Sequence, residues 1–595
     1  MPPNDLRILT TTRARPRTGG FRLPSAGRAA AVALCLASLP AALSAQAVLG
    51  GGDDATVLRR GRARIRIGGI LETATERFGG RGGALRQREP IGADASFDSL
   101  GVGFLPTFLQ PVQDTLRALT GTSGYVASLG QLRSDVRVDV QTIPFLIEYG
   151  VLDRLTVSAL LPYVRTRSSL NPVFNPTGTE GTLGFNPATA LGGSGASTAL
   201  QRNGLVAQQL TAATTALRAL VTTCAAPNPT DPRCTGFSAS AANALAAEAA
   251  AVQSRIAYVY GTGTSGSGRA FVPIAGTAPQ RAVEARLADL SRRFGTYQIT
   301  SLAATTAPAG ATARLGLAGL QTLLSDERFG IAGDSLRGLV RSGSGDIELA
   351  GTVQWLDTFH GSEQARLAPR GLQLRSSVTA GYRVGAGSGD FPKYWFDIPT
   401  GTGVDAFLFR SATDVVFGRR FWASAIVRVI QPRADQPIVR IPATPDELFV
   451  PAAREAQIER TIGRELQLEV NPRVALSDFL SIWGHWQMRS KAADEHRGTF
   501  ELPAAGGQPA VTIDASVLDV ESEAREQRAG LGLSYSTLAA YTRGKASLPL
   551  EVSWLYRRTL SGEGGQVLRA SATQLMVRAY LRVLGDRTRN VTGVR

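Results

Sequence analysis

The feature that most constrains this chain is an alternation of apolar and polar residues, which recurs in several well-separated segments. In 568–585 the apolar set is Leu575, Val577, Ala579, Leu581 and Val583, with mostly polar residues between its members. The segments 133–150, 371–384, 479–491 and 546–559 alternate in the same way. Successive side chains of a strand point to opposite faces, so each segment is predicted to be a β-strand with one apolar face.

Alternation alone also fits a soluble sandwich with one wet face, but three features favour a transmembrane barrel. The segments run to about ten to fourteen residues, whereas globular strands usually have about five or six and outer-membrane strands need about 9–11. Long connections largely alternate with short ones. Aromatic residues stand near the segment ends, as in the interfacial girdles of such barrels: Tyr149, Tyr163, Trp355, Tyr382, Phe417, Phe421, Trp422, Trp554 and Tyr556.

The alternation predicts an all-β fold, a transmembrane antiparallel barrel of about 12 strands with a partly helical extracellular insert. The predicted strands are 62–74, 133–149, 154–168, 345–358, 371–386, 402–417, 420–432, 460–474, 479–491, 524–537, 546–559 and 568–584. Closure of the barrel pairs every backbone group, which lipid would otherwise leave without partners. Short turns on the side of both termini place those termini in the periplasm and the long loops outside.

The N-terminus carries the signs of export. Six arginines and one acidic residue precede an apolar run, 29–43, which is too short to span a membrane and ends at an Ala-x-Ala sequence, 45–47. Residues 1–47 are therefore predicted to be a signal peptide that also removes Cys35. The segment 48–61, with Asp53 and Asp54, is predicted to be a flexible periplasmic lead-in and not a metal site.

The formal net charge of +16 first suggests nucleic acid as a partner. Export to a bacterial-type outer membrane and the lack of a basic cluster interleaved with aromatics argue against that. Residues 62–168 and 345–584 are assigned to the barrel, and 585–595 to a C-terminal tail.

The segment 169–344 is the main departure from a plain barrel and is predicted to be an inserted extracellular region. Ala-rich stretches at 200–221 and 239–258, and a third stretch at 279–294, predict helices. Cys224 and Cys234 lie between the first two, and two cysteines in an exported loop favour a disulfide. The insert is either a plug, lid or recognition domain or a poorly ordered surface insertion. A further helix is expected at 105–119.

Several phrases resemble a known family. The hairpin from Thr142 to Val164 contains Glu148-Tyr149-Gly150 and Leu161-Pro162-Tyr163, Gly343–Asp346 opens a later strand, and Pro399–Gly403 precedes another hairpin. These phrases are similar to the outer-membrane barrels of the meta-pathway phenol-degradation family. The resemblance covers about 134–168 and 343–432, and it implies a barrel associated with the catabolism of aromatic or hydrophobic compounds. The long insert and the polar C-terminus depart from that pattern.

A barrel of twelve strands is wide enough for a lumen, which the polar members of the alternation are expected to line. The lumen-lining candidates are Arg137, Asp139, Glu348, Arg375, Arg383, Arg410, Asp414, Glu469, His485, Arg489, Glu551, Arg557, Arg578 and Arg582. Arginine predominates among them. They form either an anion-favouring lining or Arg–Glu pairs that brace the wall.

No enzyme motif survives inspection, and no cofactor or metal is predicted. Gly261, Gly263 and Gly266 match a dinucleotide-binding spacing but follow a predicted helix instead of a strand. His485 has Ser481 and Asp478 nearby, all at the turn end of one strand. Two functions remain. The first is passive transport of small hydrophobic or anionic solutes in contact with outer-membrane lipid. The second is a surface binding or structural role, carried by the insert on a non-conducting barrel.

Overall fold

The computed structural model describes residues 52–78, 88–101, 110–178, 181–189, 195–263, 268–360, 371–445, 447, 449–502, 510–564 and 567–583. The predicted leader 1–47 and tail 585–595 lie outside the described residues. Within the described part of the chain, no helix is both long and apolar enough to cross a membrane.

Twelve antiparallel strands form a closed barrel. They are β1 Arg62–Ala74, β2 Leu132–Leu152, β3 Leu155–Phe174, β4 Ile347–Asp357, β5 Leu372–Val384, β6 Ala406–Phe417, β7 Phe421–Pro432, β8 Glu465–Ala475, β9 Leu480–Lys491, β10 Ala524–Ser536, β11 Leu550–Glu563 and β12 Ser571–Arg582. Each strand pairs with its neighbours in the chain, and β1 pairs with both β2 and β12. The predicted class and strand number are confirmed, with boundaries displaced by a few residues.

The outer surface of the barrel is an apolar belt. Phe417 is 64% exposed and Leu531 is 65% exposed, and their neighbours on the outward faces are of the same kind. Leaving such a side chain in water forgoes about 1.5–3 kcal/mol, so a surface built of them requires lipid around it. The alternate residues point inward and are polar and buried, including Arg64, Glu348 and Gln574.

A helical region, here called the cap, packs on the end of the barrel that carries the long connections, which is the end predicted to be extracellular. Its helices are α1 Gln110–Thr120, α2 Ala196–Cys224, α3 Ala239–Tyr260, α4 Ala278–Gly295 and α5 Leu317–Ser325. Four of these helices overlap predicted ones, whereas α5 was not anticipated. The predicted disulfide is confirmed, with the Cα atoms of Cys224 and Cys234 5.1 Å apart at the tip of the α2–α3 hairpin.

The cap shares one core with the barrel wall. Inward residues at the extracellular ends of β2 and β3, among them Val136, Val138 and Phe174, belong to the same buried cluster as Leu217 of α2 and Leu287 of α4. The insert is therefore a packed domain that continues the barrel interior upward.

Candidate functional site: the barrel lumen

A segment near the N-terminus, Gly52–Leu58, enters the lumen from the end that carries the short turns, which is the end predicted to be periplasmic, and we call it the strap. Its entry is set by Leu58, whose backbone N–H donates to the Thr156 hydroxyl at 2.8 Å near the start of β3. At its other end Gly52 has a φ of +96° and lies against the Trp483 ring. Over these residues the predicted lead-in lies inside the barrel, where the lumen wall offers partners for its charges.

Two aspartates hold the strap in place. Asp53, 6% exposed, forms ion pairs with Arg66 at 2.5 Å and with Arg410 at 2.9 Å. Asp54 lies 3.8 Å from Arg578, whose guanidinium also donates to the Gly52 carbonyl at 2.6 Å. Four different strands of the wall contact the strap through these groups and Thr156, so it crosses the lumen instead of lying along one side.

The strap backbone is also bound. The Ala55 N–H donates to the Asp414 carboxylate at 3.1 Å, and Arg410 donates to the Asp54 carbonyl at 3.2 Å. Asp414 additionally accepts from Arg375 at 2.5 Å and from the Ser424 hydroxyl at 2.7 Å. Because both main-chain and side-chain groups are satisfied, this is a specific seat for the segment.

The wall itself is a network of arginine–carboxylate pairs. Glu348 binds Arg383 at 2.8 Å and Arg428 at 2.6 Å, while Glu465 binds Arg489 at 2.8 Å. Further pairs join Arg64 and Arg66 to Glu148, and Arg528 to Glu526 and Glu72. In this conformation most of the lumen arginines are engaged by carboxylates, which is the bracing arrangement, whereas the buried Nε of Arg557 has no hydrogen-bond partner among the described residues.

Eleven of the predicted lining residues face the lumen, and three do not. Arg137 and Asp139 lie on the outer face of β2, with the Arg137 side chain 58% exposed and paired to Asp139 at 3.0 Å. Arg582 is exposed at the periplasmic end of β12. The prediction placed the polar residues of every strand in the lumen. For Arg137 and Asp139 this fails because β2 extends beyond the lipid, where its outer face contacts water and its inner face packs against the cap.

The network also contains residues that were not among the predicted lining residues, namely Arg64, Glu72, Glu148, Arg428, Glu465, Glu526 and Arg528. Each of them lies on the inward face of its strand, so the alternation of apolar and polar residues already carried the signal for them. The strap aspartates had no such signal, because a segment outside any strand has no period.

His485 is a structural member of the barrel wall. Its Nδ1 lies 2.9 Å from Asn471 Oδ1 and 3.7 Å from Glu469, in a buried position. Ser481 instead bonds Ser534 at 2.6 Å, and Asp478 pairs with Arg543 at 2.7 Å. The three residues near this turn therefore do not assemble into a nucleophile–base–acid set.

The two glycine-rich segments, Gly343–Asp346 and Pro399–Gly403, meet at the rim of the barrel that is predicted to be extracellular. Asp346 accepts from the backbone N–H of Gly387 at 3.0 Å, and from the N–H and hydroxyl of Thr402 at 2.8 Å each. A Cβ on Gly401 would come within 2.6 Å of the Asp346 carboxylate, so this close approach requires glycine. The hydrogen bonds to Asp346 hold the 385–405 loop inward across β3, where the Ser168 hydroxyl donates to the Phe396 carbonyl at 2.7 Å.

The same loop ends at a second carboxylate. Asp405 accepts from the Gly385 N–H at 3.0 Å and from the Tyr382 hydroxyl at 2.7 Å. These two hydrogen bonds hold the pKa of Asp405 below its usual range.

Beside the strap the lumen contains a cavity of about 80 Å³. Apolar side chains, among them Leu146, Leu160 and Leu408, line part of it, and the strap's Asp53 closes one side. Directly outside, the wall carries a shallow, open apolar groove between Tyr149, Val157, Leu349 and Phe407. Ser158 and Ala350 line both spaces, so only one layer of small side chains separates them.

No family model matches the chain, and no curated protein matches it in sequence. Solved structures do match in shape. An outer-membrane channel from Pseudomonas putida F1 is 7% identical with a TM-score of 0.37, covering 89% of this chain and 100% of that one. The Ralstonia pickettii toluene transporter TbuX is 10% identical with a TM-score of 0.22, covering 88% and 90%.

The transport unit of the autotransporter AIDA-I from Escherichia coli also matches, at 6% identity and a TM-score of 0.28, covering 91% of this chain and 95% of that one. Similarities this low carry no functional argument. The class of this protein, a transmembrane β-barrel of twelve strands with an occupied lumen, therefore rests on its own geometry.

Proposed function

We propose that the protein is a passive outer-membrane transporter for small hydrophobic solutes, held closed by the strap. The observation that carries the proposal is the thin wall at Ser158 and Ala350, with a partly apolar cavity on its inner side and an apolar groove on its outer side. A solute released there would pass from the lumen into lipid without crossing the charged network at the periplasmic end.

The wall is thin because its residues are small. Ser158 faces Ala350 across the β3–β4 pair, Ala350 faces Gly381 across the β4–β5 pair, and Gly351 points outward with no atom within 4 Å of a Cβ. Small displacements of such strands change the opening more than they would between bulky side chains.

The closed state follows from the size of the cavity. About 80 Å³ holds a few waters but is smaller than the roughly 150 Å³ space that takes up benzene in an engineered protein. Transport therefore requires the strap or the wall to move. Small aromatic hydrocarbons are the substrates that the resemblance to the meta-pathway barrels implies, and the pairing of the lumen arginines favours neutral solutes over anions.

A test compares two outward glycines on strands β4 and β1, which are three strands apart in the barrel. Both Gly351, in the groove, and Gly69, on β1, have open space around a Cβ, so tryptophan fits at either position. In cells expressing each variant, toluene uptake should fall several-fold for Gly351→Trp and stay at the wild-type rate for Gly69→Trp. Equal uptake by the two variants, with both barrels folded, would refute the lateral route.

A further inference from the structure

The outer face of β3 carries two arginines immediately above the lipid belt. Leu161 and Tyr163 are 43% and 50% exposed, and the next two outward residues, Arg165 and Arg167, are exposed as well. From Leu155 to Tyr163 the strand advances about 27 Å, or about 20 Å along the membrane normal at the usual tilt. The apolar belt is thus almost complete at Tyr163, and the two guanidiniums lie at the level of the outer headgroups.

Neither arginine has a hydrogen-bonded carboxylate among the described residues. The nearest outward acid, Asp139, faces Arg167 across the β2–β3 pair. It is already engaged by Arg137 at 3.0 Å and by the Thr73 hydroxyl at 2.6 Å. In the lumen, by contrast, most arginines form ion pairs with carboxylates.

The neighbours on both sides of Arg165 are hydrogen-bonding groups that carry no charge. Gln141 of β2 faces it on one side, and Ser342 faces it on the other from the short strand Val340–Ser344, which pairs with the extracellular half of β3. Both are exposed. Arginine guanidiniums surrounded by amide and hydroxyl donors suit the oxygens of a phosphate.

We propose that this patch, Arg165 and Arg167 with Gln141 and Ser342, binds the phosphorylated sugar headgroup of a glycolipid of the outer leaflet, the lipid A portion of lipopolysaccharide. The acyl chains would then lie downward along Leu161, Tyr163 and Ile143, which is 47% exposed on β2. Charge complementarity and the continuity of the patch with the apolar belt together favour a membrane glycolipid over a soluble anion. Basic residues at this level recognise lipid headgroups in other membrane proteins.

The experiment measures lipid A binding by the full-length folded barrel in detergent, using native mass spectrometry with bisphosphorylated lipid A as the probe. Arg165→Gln/Arg167→Gln should weaken binding about thirty-fold, as expected for the loss of two headgroup contacts. The matched control is Arg154→Gln/Arg419→Gln, which removes two exposed arginines from periplasmic turns and should leave binding within two-fold. Heat-modifiable migration confirms that each variant is folded.

Three further probes separate the possible ligands. Dephosphorylated lipid A should bind wild type as weakly as lipid A binds the double variant, and neither phosphatidylethanolamine nor millimolar inorganic phosphate should compete. Equal lipid A binding by wild type and the double variant would overturn the proposal. So would equal binding of the dephosphorylated form, or displacement of lipid A by inorganic phosphate or phosphatidylethanolamine.

Discussion

The strap offers the sharpest test of how the lumen is closed, through the substitution Asp53→Asn. Asp53 is held by Arg66 at 2.5 Å and Arg410 at 2.9 Å, and its side chain is only 7% exposed. Removing one partner of a buried pair costs about 3–5 kcal/mol. Because asparagine still accepts one hydrogen bond, worth about 1 kcal/mol, we expect a loss of roughly 2–4 kcal/mol, with a middle value of about 3 kcal/mol. That corresponds to about a hundred-fold shift toward the released strap.

The shift is measured with a cysteine at Ala55, which is fully buried in the seated strap. The only other cysteines in the described part of the chain are joined in a disulfide. Labelling of Ala55→Cys by a membrane-impermeant maleimide should accelerate about a hundred-fold when Asp53→Asn is added, and planar-bilayer conductance should rise with it.

Asp139→Asn is the matched control, since Asp139 also pairs with an arginine and a threonine but lies on the outer face. It should change neither the labelling rate nor the conductance. If Asp53→Asn leaves both at the Ala55→Cys values while the barrel remains folded, the strap does not close the lumen and the reasoning fails.

Three other predictions concern the lumen charge, the cap and the 385–405 loop. In the Asp53→Asn background, Arg578→Gln should shift the single-channel reversal potential toward cations, whereas Arg137→Gln, outside the barrel, should leave it unchanged; an equal shift would place both residues on the ion path. Cys224→Ser/Cys234→Ser removes a disulfide between residues with a sequence separation of 10, which should lower the free energy of unfolding of the cap by about 2.8 kcal/mol. This loss should be measured as faster proteolysis between α2 and α3. An unchanged proteolysis rate would argue against the disulfide in the mature protein. The pKa of Asp405 in the folded protein is lowered from 3.8, so its ionised form stabilises the 385–405 loop above pH 3.8, and this stabilisation is lost as the pH falls through the folded pKa. Hydrogen exchange at the Gly385 amide of the wild-type protein should therefore accelerate in that pH range. If Asp405→Asn shows the same pH profile as the wild type, the assignment of this effect to Asp405 is contradicted.

The alternation of apolar and polar residues predicts much of the lumen lining, because a strand with one face in contact with lipid must place its polar residues on the other face. Glu348, Arg383 and Arg578 were assigned to the interior on that ground, and the structure places them there. Arg137 and Asp139 show where the rule stops. Above the belt the outer face meets water, so the same period puts charges outside and Val136 and Val138 inside, against the cap.

The sequence by itself determined the closed twelve-stranded barrel, the approximate strand ends, the helices of the α2–α3 hairpin and its disulfide, since periodicity, length and cysteine spacing are local properties. Only the tertiary structure decided what fills the barrel. Asp53 and Arg66 are 13 residues apart, but Arg410 lies far away in the chain on β6, and no local pattern links an aspartate in an irregular segment to two arginines on separate strands. Their contact exists because a closed barrel brings its buried arginines towards a common centre, where an N-terminal segment without secondary structure supplies a carboxylate that both can bind.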